Sequence, residues 1–315
     1  MKYLHHLVIS ILVILVSFLM FLGTSCNSQD QESTGSPSPT TQGKSFIWKV
    51  SSGTTYIYLL GSVHVANQDL YPLDKTIEDT FDSADYLVVE VNTNNLSQIH
   101  ASELLMQYGV YTGGDSFKNN VSEELYNKLA ELFQENEIDI ALFNDYKPFV
   151  IYNFMSQLIL KSLGYKVENG IDLYFMDKAD VSDMSILELE TTEYQLSLLN
   201  SIPDEIIIRL MQYDIENLET EKYLQDLFDA WEDGDAVKME TVAFDILVEV
   251  PELAPYYEIM YGQRNDNMVQ KIEEFLAGDE VYFIVVGAAH LVGENGLLNL
   301  LQNKGYVLEQ LNDSD

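Results

Sequence analysis

From residue 46 onward, apolar positions recur at two spacings, every second residue and about every 3.6 residues, so the chain predicts alternating strands and helices. Residues 46–50 and 55–60 read as the two strands of a hairpin, with Ser-Ser-Gly-Thr as the turn. Residues 74–81 predict a short helix and 86–91 a buried strand. Ser122 is placed to cap a helix whose apolar positions Val121, Leu125, Leu129, Leu132 and Phe133 keep helical spacing. Residues 149–163 are apolar on most sides and predict a central buried helix, and 184–189 predict another strand. Thr192 and Gln195 then form a Thr-x-x-Gln capping box. The stretch 203–261 is helical and acidic with no evident chemistry; after it come a helix at 264–276, a strand at 280–286, a helix at 296–303 and a last strand at 306–311. Strands at both ends of the chain with helices between them predict a single α/β domain over 45–312. Its sheet is mixed, with helices around it and a helical insertion in its centre.

Two of the predicted strands end on the same plan. Tyr56-Ile57-Tyr58-Leu59-Leu60-Gly61-Ser62-Val63-His64 and Tyr282-Phe283-Ile284-Val285-Val286-Gly287-Ala288-Ala289-His290 are both apolar runs followed by Gly-x-x-His. Glycine lets the backbone turn sharply with no Cβ in the way. The chain holds five histidines, of which His5 and His6 lie in the N-terminal segment and His100 in a polar helix, so the remaining two fall in this repeated pattern. Neutral imidazole is a common metal ligand and acid–base group.

Charge narrows the partners. Fifty-one acidic residues against 16 basic ones give a formal charge of −35 over 315 residues, a field that repels a phosphate backbone and excludes nucleic acid. At the start, Lys2 precedes an apolar run over 7–22, then Gly23-Thr24-Ser25 and the sole cysteine, Cys26. This is the plan of a secretory signal over 1–25. A lone cysteine at this place resembles the lipobox of bacterial lipoproteins, in which it becomes the lipidated first residue. Gly23 stands where such boxes usually carry leucine, and an uncleaved N-terminal anchor is the alternative. Residues 26–44 are polar and rich in Ser, Thr, Gln, Pro and Gly, the composition of a flexible tether. The expected location is the outer side of the cell membrane, with the lipid as anchor.

Candidate chemistry gathers at predicted strand ends. His64, Glu90, Glu190 and His290 each close or follow an apolar strand, and open α/β sheets bind ligands at their strand carboxyl ends. Two imidazoles and one or two carboxylates suit a divalent ion such as Mn²⁺, Co²⁺ or Zn²⁺. Glu188 shares strand parity with Glu190 and competes with it. Arg264 begins the stripe Arg264, Met268, Ile272, Phe275, so its guanidinium needs an inward partner, either a carboxylate or a substrate carbonyl. Asn265 stands beside it. Asp172, in Gly170-Ile171-Asp172, reads most simply as a helix N-cap.

The ordered set of motifs resembles the TraB/PrgY/GumN family, related to Tiki-type metalloproteases and more distantly to ChaN-like and erythromycin-esterase-like proteins. The resemblance rests on Tyr58–Val65 with Leu70-Tyr71-Pro72-Leu73, Leu87–Val91, Lys147-Pro148-Phe149, Gly170-Ile171-Asp172 and Leu189-Glu190-Thr191 with Gln195. It continues through Ile202-Pro203, Arg264-Asn265, Gly287–Gly293 with Gly296-Leu297, and Gly305-Tyr306. Phe149 stands where the family pattern suggests tryptophan. The resemblance implies an α/β fold with a cleft formed by both Gly-x-x-His motifs, and metal-dependent proteolysis in the Tiki branch. His64, Glu90 and His290 would then be the metal set, with Glu190, Arg264 and Asn265 in supporting catalytic roles. The expected function is a membrane-tethered, metal-dependent peptidase. The alternative is a lipoprotein that captures a peptide signal or haem without catalysis.

Overall fold

The structure, a computed structural model, describes residues 44–216 and 220–312. The signal segment, Cys26 and nearly all of the tether lie outside the described residues. Among the described residues no helix is long and apolar enough to cross a membrane.

Six strands form one sheet: β1 (Lys44–Ser52), β2 (Thr55–Ser62), β3 (Tyr86–Val89), β4 (Ser185–Glu188), β5 (Tyr282–Gly287) and β6 (Val307–Asn312). Their spatial order is β4-β3-β5-β2-β1-β6. The sheet is mixed. β4, β3, β5 and β2 run parallel, whereas β1 is antiparallel to both β2 and β6. The hairpin forms as expected, with Ser52 paired to Thr55 across its turn.

β5 sits between β3 and β2, so a strand from the end of the chain completes a sheet begun at its start. Leu87, Val88, Phe283, Ile284 and Val285 are fully buried, as befits strands covered on both faces. Helix Ile171–Val181 packs on β3 and β4, and helix Thr220–Glu232 packs on β1. The indole N–H of Trp231 ties that second helix to β2 by donating to the Gly61 carbonyl at 2.6 Å.

Several local expectations shift. The strand predicted over 184–189 is confined to Ser185–Glu188, and that over 86–91 to Tyr86–Val89, which frees Glu190 and Glu90 to project beyond the ladder. Ser122 caps its helix, accepting from Leu125 N–H at 3.1 Å. The capping residue before helix Thr192–Ser201 is Thr191 rather than Thr192, and it accepts from Tyr194 N–H. Gln195 does not complete a capping box, because its amide is drawn to the carboxylate of Glu190.

The glycines of the two repeated motifs have a different reason from the one expected. Neither has positive φ. Gly61 lies inside β2, where a Cβ would stand 2.5 Å from the Phe46 ring. At Gly287 a Cβ would stand 2.9 Å from His64 Nε2. Close approach, not turning, excludes side chains there.

The central insertion is helical as expected. Its helices Asp204–Glu216, Thr220–Glu232 and Ala236–Phe244 lead through three short helical segments into a π-helical turn at Glu258–Gly262. That turn runs directly into helix Gln263–Leu276. Such turns often mark functional positions in a helix.

Candidate functional site

β2, β3, β4 and β5 end on one edge of the sheet, and just past those ends stand His64, Glu90, Glu190 and His290. His64, Glu90, His290 and Arg264 line a single small cleft, and Val91, Met176, Met260 and Tyr261 supply apolar wall. Residues 226 positions apart along the chain meet here because β5 inserts beside β2.

Glu90 is the hub. Its Oε2 accepts from Arg264 Nη2, and its Oε1 accepts from the Gly287 backbone N–H at 2.7 Å. The same Oε1 faces His64 Nε2 at 4.0 Å and His290 Nε2 at 3.8 Å.

Each imidazole is fixed from behind. His64 Nδ1 lies 2.7 Å from Asp172 Oδ2, and Ser62 Oγ donates to the other oxygen of that carboxylate at 2.8 Å. His290 Nδ1 lies 2.5 Å from Asn265 Oδ1. The Asn265 amide nitrogen donates to the carbonyls of His290 and Asn295, so its oxygen must face the ring and Nδ1 carries the hydrogen. Both rings in their neutral form therefore present an Nε2 lone pair toward Glu90. Two nitrogen acceptors and a carboxylate oxygen face one another across about 4 Å.

Arg264 is held on all sides. Its Nε reaches both oxygens of Glu190 at 3.1 and 2.9 Å, its Nη2 reaches Glu190 Oε2 at 2.6 Å, and its Nη1 donates to the Met260 carbonyl at 3.2 Å. Gln195 Nε2 adds a bond to Glu190 Oε2 at 2.7 Å. Of the two partners expected for the guanidinium, the structure shows carboxylates. Glu190 is buried behind Arg264, outside the cleft lining, with both oxygens engaged. Its rival Glu188 is exposed and accepts from Asn92 N–H.

These contacts set the protonation states. Burial alone would raise the Glu90 carboxyl, but Arg264, then His290, His64 and the Gly287 N–H, hold it well below the usual range. Burial lowers His290 to about 3, the pull of Glu90 being too weak to restore it. Burial also pushes His64 down, yet the charge and hydrogen bond of Asp172, with help from Glu90, hold it above its ordinary value. Two carboxylates, those of Glu90 and Glu190, share the one Arg264 guanidinium. That pair is left one positive charge short.

Among the described residues no group of three His, Cys, Asp or Glu stands as it is in an arrangement that could hold a metal ion. The donor types, two imidazole Nε2 atoms and one carboxylate oxygen, are nonetheless those a divalent cation takes, which makes His64, Glu90 and His290 the candidate ligands. Asp172 and Asn265 would be the partners that fix their rings.

Sequence reasoning missed several contributors. Asp172 is not an N-cap: its helix is capped by Gly170, and its carboxylate turns inward to His64. Gln195, read as part of a capping box, the Gly287 N–H and Tyr261 had been given no role in the site. Tyr261 came from a stretch read as having no chemistry, and its ring packs 5.1 Å from that of His290.

The fold and cleft define an α/β protein with a His-Glu-His cluster at the carboxyl edge of a mixed sheet. The sequence model of the TraB/PrgY/gumN family matches residues 46–310, and the chain belongs to that family. It is similar to YbaP of Escherichia coli (strain K12), an uncharacterized protein, with 25% identity over 251 residues. That match covers 79% of this chain and 89% of YbaP. YbaP of Shigella flexneri matches with the same identity and coverage.

Proposed function

We propose that this protein is a metal-dependent hydrolase acting on peptides outside the cytoplasm, tethered to the membrane through Cys26. The observation that carries this reading is the cluster of two imidazole Nε2 atoms facing Glu90 Oε1, in a site where two carboxylates share one guanidinium. A divalent ion bound there would polarise a carbonyl and lower the pKa of water. The net reaction adds water across an amide: a C–O bond forms, the C–N bond breaks, and the departing nitrogen takes a proton.

The chain's own residues prepare the site. Arg264 takes Glu90 Oε2 and so leaves Oε1 directed into the cleft. Asp172 and Asn265 hold the Nδ1 hydrogens and thereby aim each Nε2. Glu190 and Gln195 hold Arg264 in place, which makes Glu190 a positioning group rather than a proton carrier. Met176, Met260 and Val91 shield the site from water and offer an apolar wall to a substrate side chain.

The test is cleavage of a quenched-fluorescent peptide library by the purified chain, with and without added Mn²⁺, Co²⁺ or Zn²⁺. Metal-dependent cleavage that is lost in His64→Ala supports the hydrolase. Saturable peptide or haem binding without product supports the binding lipoprotein instead.

A further inference from the structure

The side-chain donors on the cleft wall are nearly all engaged. Arg264 is shared by Glu90, Glu190 and the Met260 carbonyl, and the Gln195 amide is bonded to Glu190. Each histidine has its Nδ1 turned away to Asp172 or Asn265. Tyr261 differs. It lines the same cleft, and its hydroxyl makes no hydrogen bond to any described residue. Its ring is held firmly nonetheless, by Phe244 at 5.4 Å, Tyr257 at 5.7 Å and His290 at 5.1 Å between centroids.

Its place in the chain has a cause. Met260, Tyr261 and Arg264 share one helix face, since positions three and four apart are neighbours. The π-helical turn Glu258–Gly262 sets that face against the strand ends. The result is an immobilised ring carrying an unoccupied donor beside the histidine cluster.

We propose that Tyr261 is a catalytic residue whose hydroxyl donates a hydrogen bond to the carbonyl oxygen of the scissile amide. This rests on the hydrolase reading above. A phenol keeps its proton at neutral pH and so is a donor there. The bond strengthens as negative charge grows on that oxygen, which places its effect in the transition state. Arg264, occupied by carboxylates, is spared that task.

The experiment compares the full-length wild type with Tyr261→Phe and, as a control, Tyr257→Phe, whose hydroxyl is buried away from the cleft lining. Bound metal per chain and thermal unfolding are recorded for all three. The probes are a quenched-fluorescent peptide library and a phosphinic dipeptide mimic, whose tetrahedral phosphorus carries charged oxygen. Tyr261→Phe is expected to lose about 100-fold in kcat with little change in KM. Its affinity for the phosphinic mimic falls in parallel, while metal content and unfolding stay at wild-type values and Tyr257→Phe keeps both activities. Retention of kcat and mimic affinity within about threefold overturns the assignment, as does a loss that tracks lost metal or lost fold. A wild type that neither cleaves peptide nor binds the mimic removes the hydrolase reading itself, and this inference with it.

Discussion

Asp172 reaches across from the start of helix Ile171–Val181 to hold His64 Nδ1 at 2.7 Å, and Ser62 holds Asp172 in turn. The contact joins an element between β3 and β4 to the end of β2. It also sets which nitrogen of His64 faces the cleft. Replacing such a partner typically costs 10- to 100-fold in metal affinity. Asp172→Asn is therefore expected to weaken Zn²⁺ binding by about that factor, measured by competition with a chelator, while leaving the far-ultraviolet circular dichroism unchanged.

Arg264 is the single guanidinium in contact with two buried or nearly buried carboxylates. Removing it strands Glu90 and Glu190 without a counter-charge. Arg264→Met should lower stability in urea by about 3–5 kcal/mol. The double variant Arg264→Met, Glu190→Gln should be less damaged than the single effects add up to, since one stranded charge is gone. Simple additivity would show that the pair acts independently.

The titrations of the metal-free protein carry a sign. His290 binds its proton at about 3 when folded but near 6.5 when unfolded, so between those values the unfolded chain holds more protons. Glu90, held below its ordinary value, acts in the same direction at lower pH. His64 is raised, so its contribution is complete below about 6.5 and is lost as pH rises through its folded value. In chelator-treated protein, stability is expected to fall as pH drops from about 6.5 toward 3, with His290 contributing a slope of up to about 1.4 kcal/mol per pH unit. Urea titrations at several pH values measure it, and His290→Gln should flatten the slope.

Tyr257 buries a hydroxyl that has no hydrogen-bond partner among the described residues. Deleting it removes a desolvated polar group and keeps the ring packing against Tyr261 and Phe244. Tyr257→Phe should be neutral or stabilising by about 1 kcal/mol in the same urea assay.

Gly287 is closed against His64 Nε2 at 2.9 Å and Glu90 Oε1 at 3.4 Å from where a Cβ would be. Gly287→Ala must push one of these groups aside. The expected outcome is weakened metal binding in a chain whose thermal unfolding remains cooperative.

Much of this architecture was legible because strands such as Leu87-Val88-Val89 and Phe283-Ile284-Val285 announce burial by unbroken apolarity. The repeated Gly-x-x-His pointed to His64 and His290, and the inward stripe begun by Arg264 foretold a buried ion pair, although Phe275 at its end is only half-buried. What stayed hidden depends on packing between distant segments. Asp172 looks like an N-cap to any local rule, and only the approach of its helix to β2 turns it toward His64. Tyr261 sits in an acidic helical stretch of uniform pattern, and a π-helical turn leaves no signature in apolar spacing. Gly287 has ordinary backbone angles, so its necessity is visible only once His64 stands beside it.

The most direct test is elemental analysis of purified full-length protein beside its His290→Ala variant, both confirmed as folded by circular dichroism. The account predicts about one divalent metal ion per wild-type chain and near-complete loss in the variant. An undiminished metal content in His290→Ala, or a wild type that binds none when Mn²⁺, Co²⁺ and Zn²⁺ are each supplied, would contradict it.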